Sequence, residues 1–248
     1  MSSCGVFEEE EVSKLKVFFG EEIYKEFEGK TVLDYGCGTG WACVDLALHG
    51  AAQVIGLDII DENLEAACKL AAKHGVSDKC TFTKSVSAKA DVILSMDAFE
   101  HFMDPASILV NMSGLMKDDG CAIVTFGYTW YHPLGGHLFS VFPWAHLIFP
   151  EKALIRWRSD FKTDGATRFG EVSGGLNQMT IRRWEKLVSE SPFKIVWQRI
   201  RPIRAFRWFY CRLTRELFTS TLQMKLVQRR GEENDCSACS RGRKSSAP

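Results

Sequence analysis

The stretch Val32–Trp41, VLDYGCGTGW, constrains the chain more than any other. An apolar run ends in Asp34, glycines follow at 36, 38 and 40, and a helix-compatible run begins at Trp41 and closes at Gly50. Glycine tolerates positive φ and lets backbone come close to a ligand. A strand, a glycine turn and a helix in that order open a βαβ unit. The spacing is G-x-G-x-G, whereas the dinucleotide fingerprint is G-x-G-x-x-G. A phosphate-gripping loop would continue Gly-Lys-Ser/Thr, but Gly40 is followed by Trp41 and Ala42. Asp34 at the mouth of the turn would repel a pyrophosphate and suits a ligand that carries an ammonium group.

The rest of the first half alternates in the same way. Residues Val12–Phe27 carry Leu15, Phe18, Phe19, Ile23 and Phe27 at helical spacing, which predicts an amphipathic helix ended by Gly29. KTVLDY, AQVIGLDI, CTFTKSV, ADVILSM and CAIVTF read as strands. Between them, Asp61 is placed to cap a helix running to about His74, and Pro105 to start one running to about Lys117. The expected fold is α/β: a Rossmann-like, mostly parallel sheet with helices on both faces. Thr180–Ser189 predicts a further helix with Thr180 as cap. FKIVWQRI and Leu222–Gln228 predict closing strands, the last antiparallel. Asp58 ends the second strand, where an acid can accept both hydroxyls of a ribose. With Asp34 and the glycine spacing, this selects S-adenosylmethionine (SAM), which has an amine, a sulfonium and no phosphate.

VLDYGCGTG, VIGLDI, ADVILSMDAFEHFMDP and LMKDDGCAIVTF resemble the successive motifs of class I SAM-dependent methyltransferases, and within them the small-molecule group that includes the quinone-biosynthesis enzymes. The resemblance is strong over Thr31–Phe126. It implies a methionine-end role for Asp34, a cofactor turn at Gly36, Gly38 and Gly40, and ribose binding by Asp58. It also implies adenine packing by Ile59 and a floor beside the methionine moiety from Ser95 and Met96. TKSVSA lacks the aspartate many relatives place near the adenine, so Ser85 or a backbone group is expected there. Asp118-Asp119-Gly120 replaces the usual Pro-Gly and is read as a turn.

The 248 residues carry no net charge, which argues against bulk attraction to nucleic acid. Charge is uneven: Glu8–Glu11 is acidic, and Arg199–Arg230 holds nine basic residues against Glu216. Nine cysteines, an odd number set mostly inside predicted elements, fit reduced thiols better than a disulfide framework. Cys236 and Cys239 form a lone CxxC, too few ligands for zinc, and no metal is expected. The acidic N-terminus lacks a signal-peptide pattern and no apolar run reaches spanning length, so a cytoplasmic location is expected.

Residues 127 to about 178 break the alternation and are read as an inserted lid at the carboxyl end of the sheet, with Gly135-Gly136 and Gly174-Gly175 as hinges. Tyr128, Trp130, Tyr131, Phe139, Phe142 and Trp144 either wall an apolar acceptor or form a subsidiary core. His132 is the first choice for a general base and His101 the second. Residues 202–218 read as a basic amphipathic helix, with Ile203, Phe206, Tyr210, Leu213 and Leu217 on one stripe; core packing is favoured over membrane contact. The expected organisation is one methyltransferase domain over 1–230 and a disordered tail over 231–248. The expected reaction is methyl transfer to an apolar or aromatic small molecule, at oxygen before nitrogen or carbon. A non-catalytic SAM-binding scaffold and a dinucleotide oxidoreductase are the rival readings.

Overall fold

The computed structural model describes residues 13–139, 142–160, 165, 167–171 and 175–229. Glu8–Glu11, Gly174, Cys236, Cys239 and the expected tail lie outside them. Strands β1 (Thr31–Tyr35), β2 (Gln53–Leu57), β3 (Cys80–Thr83), β4 (Ala90–Met96), β5 (Met116–Gly127), β6 (Phe193–Pro202) and β7 (Thr219–Gln228) form one sheet. Their order is β3-β2-β1-β4-β5-β7-β6. All pairings are parallel except those of β7, which runs antiparallel to both β5 and β6. The expected α/β fold with an antiparallel last strand is what the chain forms. Strand order reverses between β1 and β4, which puts the crevice for a ligand outside their carboxyl ends.

Two cores sandwich the sheet because β1, β4 and β5 bury both faces, alternating Val32 with Leu33, Leu94 with Ile93, and Ile123 with Val124. One face is covered by residues 15–27 and by helices Trp41–Leu48 and Asp61–Lys73. The other is covered by helices Pro105–Gly114 and Ile181–Glu190, where Trp184 meets Phe99 and Phe126 edge-on at 4.8 and 5.1 Å. Burying each such ring contributes about 2–3 kcal/mol before entropy is charged against it. Thr180 caps its helix as expected, its hydroxyl accepting the Arg183 N–H at 3.1 Å.

Several expectations are corrected. The helix expected over 12–27 stops at Phe19, because Gly20 takes φ 86°, and resumes as a 3₁₀ run, Glu21–Glu26. Asp61 is the first helical residue rather than the cap, and its carboxylate pairs with Lys84. The helix from Pro105 ends at Gly114, because extended backbone starts again at Met116. Asp118-Asp119-Gly120 bulges within β5, between the Ala90–Met116 and Val92–Cys121 pairs.

The segment after β5 is more ordered than its composition suggests. It holds helices Ala145–Ile148 and Glu151–Arg158 and a third core of Phe139, Ala145, Leu154, Phe169 and Leu176. Trp130 packs against that core, while Tyr128, Tyr131 and Phe142 stay exposed, so the aromatics divide between the two readings. Gly135 is not a free hinge: a Cβ there would lie 2.3 Å from the Trp130 carbonyl oxygen. A Cβ on Gly175 would lie 3.0 Å from the His101 carbonyl, so it too is a packing position. The helix expected over 202–218 does not form. A 3₁₀ run, Arg204–Phe209, and a short helix, Arg215–Phe218, take its place, and neither buries a residue. Of the expected stripe, Ile203, Phe206, Tyr210 and Leu217 are half-buried and Leu213 is exposed, so it packs in part without forming one helix.

Candidate active site

The glycine turn is pinned to the end of β2. The amides of Gly36 and Cys37 both donate to the Leu57 carbonyl, at 2.9 and 3.0 Å. The three glycines, with φ of 84°, 53° and 81°, are glycine for different reasons. A Cβ on Gly36 would press on Ala98 at 3.0 Å, and one on Gly40 would overlap Ala67 at 2.6 Å. One on Gly38 would meet nothing within 4 Å. Gly36 and Gly40 thus serve close packing, and Gly38 faces the open space where a ligand can approach backbone.

Asp58 organises this space. Its Oδ2 accepts the Gly38 amide at 2.9 Å, and its Oδ1 accepts the Ile60 amide at 2.9 Å and the Asn63 side-chain amide at 3.3 Å. Beside it Ile59 is 84% exposed, an apolar side chain standing free to cover a flat ring. Asp34 is buried at the end of β1. Burial pushes its carboxyl up to about 7 and the charge of Asp58 adds to this, opposed by the Cys43 thiol, which donates to Oδ2 at 3.4 Å. A carboxyl held this high ionises readily once a cation arrives.

Ser95 is fully buried and its hydroxyl donates to the Tyr35 carbonyl at 2.9 Å, tying β4 to β1. Its hydroxyl is therefore already engaged, whereas Met96 is half-buried at the strand end. Ser85 is exposed, and its backbone closes a turn with the Thr83 hydroxyl at 2.9 Å. Asp97, which the sequence reading passed over, follows β4 with φ 50° and pairs with Lys14 at 3.2 Å. A non-glycine residue held there costs about 1–3 kcal/mol, and such positions gather at functional sites. Tyr128 and His137 share that conformation, each with φ 49°.

The histidines differ in what their rings can do. His101 Nδ1 lies 2.9 Å from the Gly175 carbonyl, an acceptor, so the proton sits on Nδ1 and Nε2 keeps its lone pair. His132 Nδ1 accepts the Leu134 amide at 2.9 Å, which puts its proton on Nε2 and makes that nitrogen a donor. Burial also drops His132 to about 4. His101 faces His137 edge-on at 5.2 Å, and His132 lies against Tyr128 at 4.5 Å. The structure thus gathers His101, Tyr128, His132 and His137 into one group.

Glu100 and Asn177 adjoin His101, and sequence reasoning missed the second of them. Glu100 is buried, and its carboxyl is pushed up to about 8, by burial first and then by Asp97. Its Oε2 has no hydrogen-bond partner among the described residues. Asn177 donates to the carbonyls of Phe99 and Phe102, both at 2.6 Å, and its own amide donates to the Glu100 carbonyl at 2.9 Å. It straps the turn that carries His101. GGLNQMT has no periodicity that could have revealed this.

The sheet order and the glycine turn are those of the Rossmann-like fold that solved SAM-dependent methyltransferases share. Residues 26–132 match the family model described as a methyltransferase domain. A ubiquinone biosynthesis O-methyltransferase of Neisseria meningitidis serogroup C is 36% identical over 104 residues, 39% of this chain and 44% of that protein. One from Maricaulis maris is 32% identical over 113 residues, 42% and 43% of the two chains. The matched region thus spans less than half the length of these relatives. Magnesium protoporphyrin IX methyltransferase of Synechocystis PCC 6803, solved with bound SAH, shares the fold with a TM-score of 0.53 at 16% identity, covering 90% of each chain.

Proposed function

We propose that the protein transfers a methyl group from SAM to an oxygen of an apolar or aromatic small molecule. The observation that carries this reading is Gly38, where a side chain would meet nothing within 4 Å and whose amide is held by the Asp58 carboxylate: a backbone cradle beside an acid, hostile to phosphate and suited to a nucleoside with free ribose hydroxyls. Asp34 would hold the amine, Asp58 the ribose hydroxyls, and Ile59 the exposed face of the adenine. When bound, SAM supplies an electrophilic methyl on sulfur, so the chain's task is to align an acceptor and exclude water.

Oxygen is favoured because the relatives are named O-methyltransferases and because a proton acceptor is at hand. His101 Nε2 can take the proton of an acceptor hydroxyl, while the Gly175 carbonyl stabilises the cation through Nδ1–H. His132, holding its proton on Nε2, would orient an acceptor by donating. The order of the two histidines is therefore the reverse of the sequence expectation. Exposed Tyr128 and Tyr131 offer apolar wall to such an acceptor.

The test is calorimetry with SAM beside NADH, followed by turnover of SAM to S-adenosylhomocysteine with catechol and phenol acceptors. Binding of SAM with no turnover in any of these would favour the scaffold reading. Binding of NADH alone would overturn the cofactor assignment.

A further inference from the structure

The connection from β6 to β7, residues 203–218, is unlike the rest of the surface. Trp208 is 95% exposed, Leu213 91% and Phe209 67%. No residue of the run Arg204–Phe209 is buried. Exposing one large apolar side chain is ordinary, but exposing three within six residues is not. The 3₁₀ geometry explains their arrangement. Side chains three apart eclipse one another, so Arg204 lines up with Arg207, Ala205 with Trp208 and Phe206 with Phe209. Rows of arginine and rows of aromatic rings therefore stand side by side.

The charges in this connection are basic but for one. Its sole acid, Glu216, accepts the amides of Ile181 and Arg182, and Arg215 is paired with Glu185 at 2.6 Å. Arg204, Arg207 and Arg212 are exposed and meet no carboxylate at ion-pairing distance among the described residues. The surface continues beyond the connection. Phe206 lies 6.3 Å from Trp144, and the neighbouring segment exposes Phe142 and Phe149, 5.8 Å apart, with Ile148 65% exposed.

We propose that residues 203–213 dock this protein on an anionic lipid surface. Trp208, Phe209 and Leu213 would enter the headgroup boundary, and Arg204, Arg207 and Arg212 would meet the lipid phosphates. The chemistry of the patch selects this occupant. Aromatic and aliphatic side chains separated by arginines match an interface that is apolar inside and negatively charged at its rim. A protein-docking site gathers its apolar groups at a desolvated centre instead. No helix of the described residues is long and apolar enough to cross a membrane, so the contact is peripheral. The inference does not rest on the methyltransferase reading, because it uses none of the residues placed in that site.

The test is sedimentation of the full chain with vesicles of phosphatidylcholine alone and with about 30 mol% phosphatidylglycerol. Binding is expected only to the anionic vesicles and should weaken as salt rises. Combining Trp208→Ala, Phe209→Ala and Leu213→Ala should cut partitioning by at least about tenfold. Combining Arg204→Gln, Arg207→Gln and Arg212→Gln should remove the preference for anionic lipid. Both variants should keep the wild-type thermal midpoint, which shows that they fold. Failure of the wild-type chain to sediment with anionic vesicles would overturn the proposal, as would wild-type sedimentation by the apolar variant. So would self-association without lipid that the apolar variant loses, since a second copy would then be the occupant.

Discussion

The Asp58 carboxylate accepts the amide of Gly38 at 2.9 Å, joining the acid after β2 to the one glycine of the turn that faces open space. One side chain thus shapes the cradle and lines it. Asp58→Ala should weaken SAM binding by about 1–3 kcal/mol, the usual scale for a charged hydrogen bond. Asp58→Asn should lose less, because its side-chain oxygen can still accept the Gly38 amide. Calorimetry checks both, and equal affinity in all three proteins would remove Asp58 from the site.

Gly38 and Gly40 should fail differently. Gly38→Val puts a branched side chain into the cradle and should abolish SAM binding, with a stability loss of about 1–2 kcal/mol from its positive φ. Gly40→Ala drives a methyl into Ala67, 2.6 Å away, and should cost about 1–3 kcal/mol from overpacking in addition to φ strain. Thermal unfolding should therefore rank Gly40→Ala as the less stable protein. SAM titration should rank Gly38→Val as the weaker binder.

Asp34 should couple stability to pH. Its carboxyl rises from 3.8 to about 7 on folding. Between those values the unfolded chain has released the proton and the folded chain keeps it. Stability therefore falls as pH rises through that window and stays lower above it. Asp34→Asn removes the effect and should stabilise the ligand-free protein at pH 8 by about 2–4 kcal/mol, with little change near pH 4. Glu100, raised from 4.5 to about 8, leaves a residual slope of the same sign. With SAM present the order should reverse at pH 8, because asparagine offers no charge to the amine. Melting curves at pH 4 and 8, with and without SAM, test this.

His101→Gln should reduce turnover with a phenol acceptor by about 10²–10⁴-fold and leave SAM affinity unchanged, as expected for loss of a base acting on the acceptor. His132→Ala should act mainly on the Michaelis constant for the acceptor. Steady-state kinetics with the acceptor varied separate the two. A larger fall in turnover for His132→Ala would restore it as the base.

The local chemistry of the first half was legible from sequence. Glycine turns, a proline-started helix and alternating apolar runs act over a few residues, so VLDYGCGTG, Asp58 and the parallel strands could be read directly. What tertiary structure decided is of another kind. Whether His101 or His132 holds a free lone pair depends on Gly175, 74 residues away from one, and on Leu134, beside the other. The strap made by Asn177 spans a similar separation. The stripe from Ile203 to Leu217 has helical spacing, but spacing buries nothing unless a neighbouring element covers it. In the β6–β7 connection Phe206 is half-buried against Phe218, whereas Leu213 is left in solvent. Sequence determines which groups a segment carries and its local periodicity. Only the packed chain determines which partners those groups meet, because hydrogen-bond and burial partners lie at separations that local periodicity does not encode.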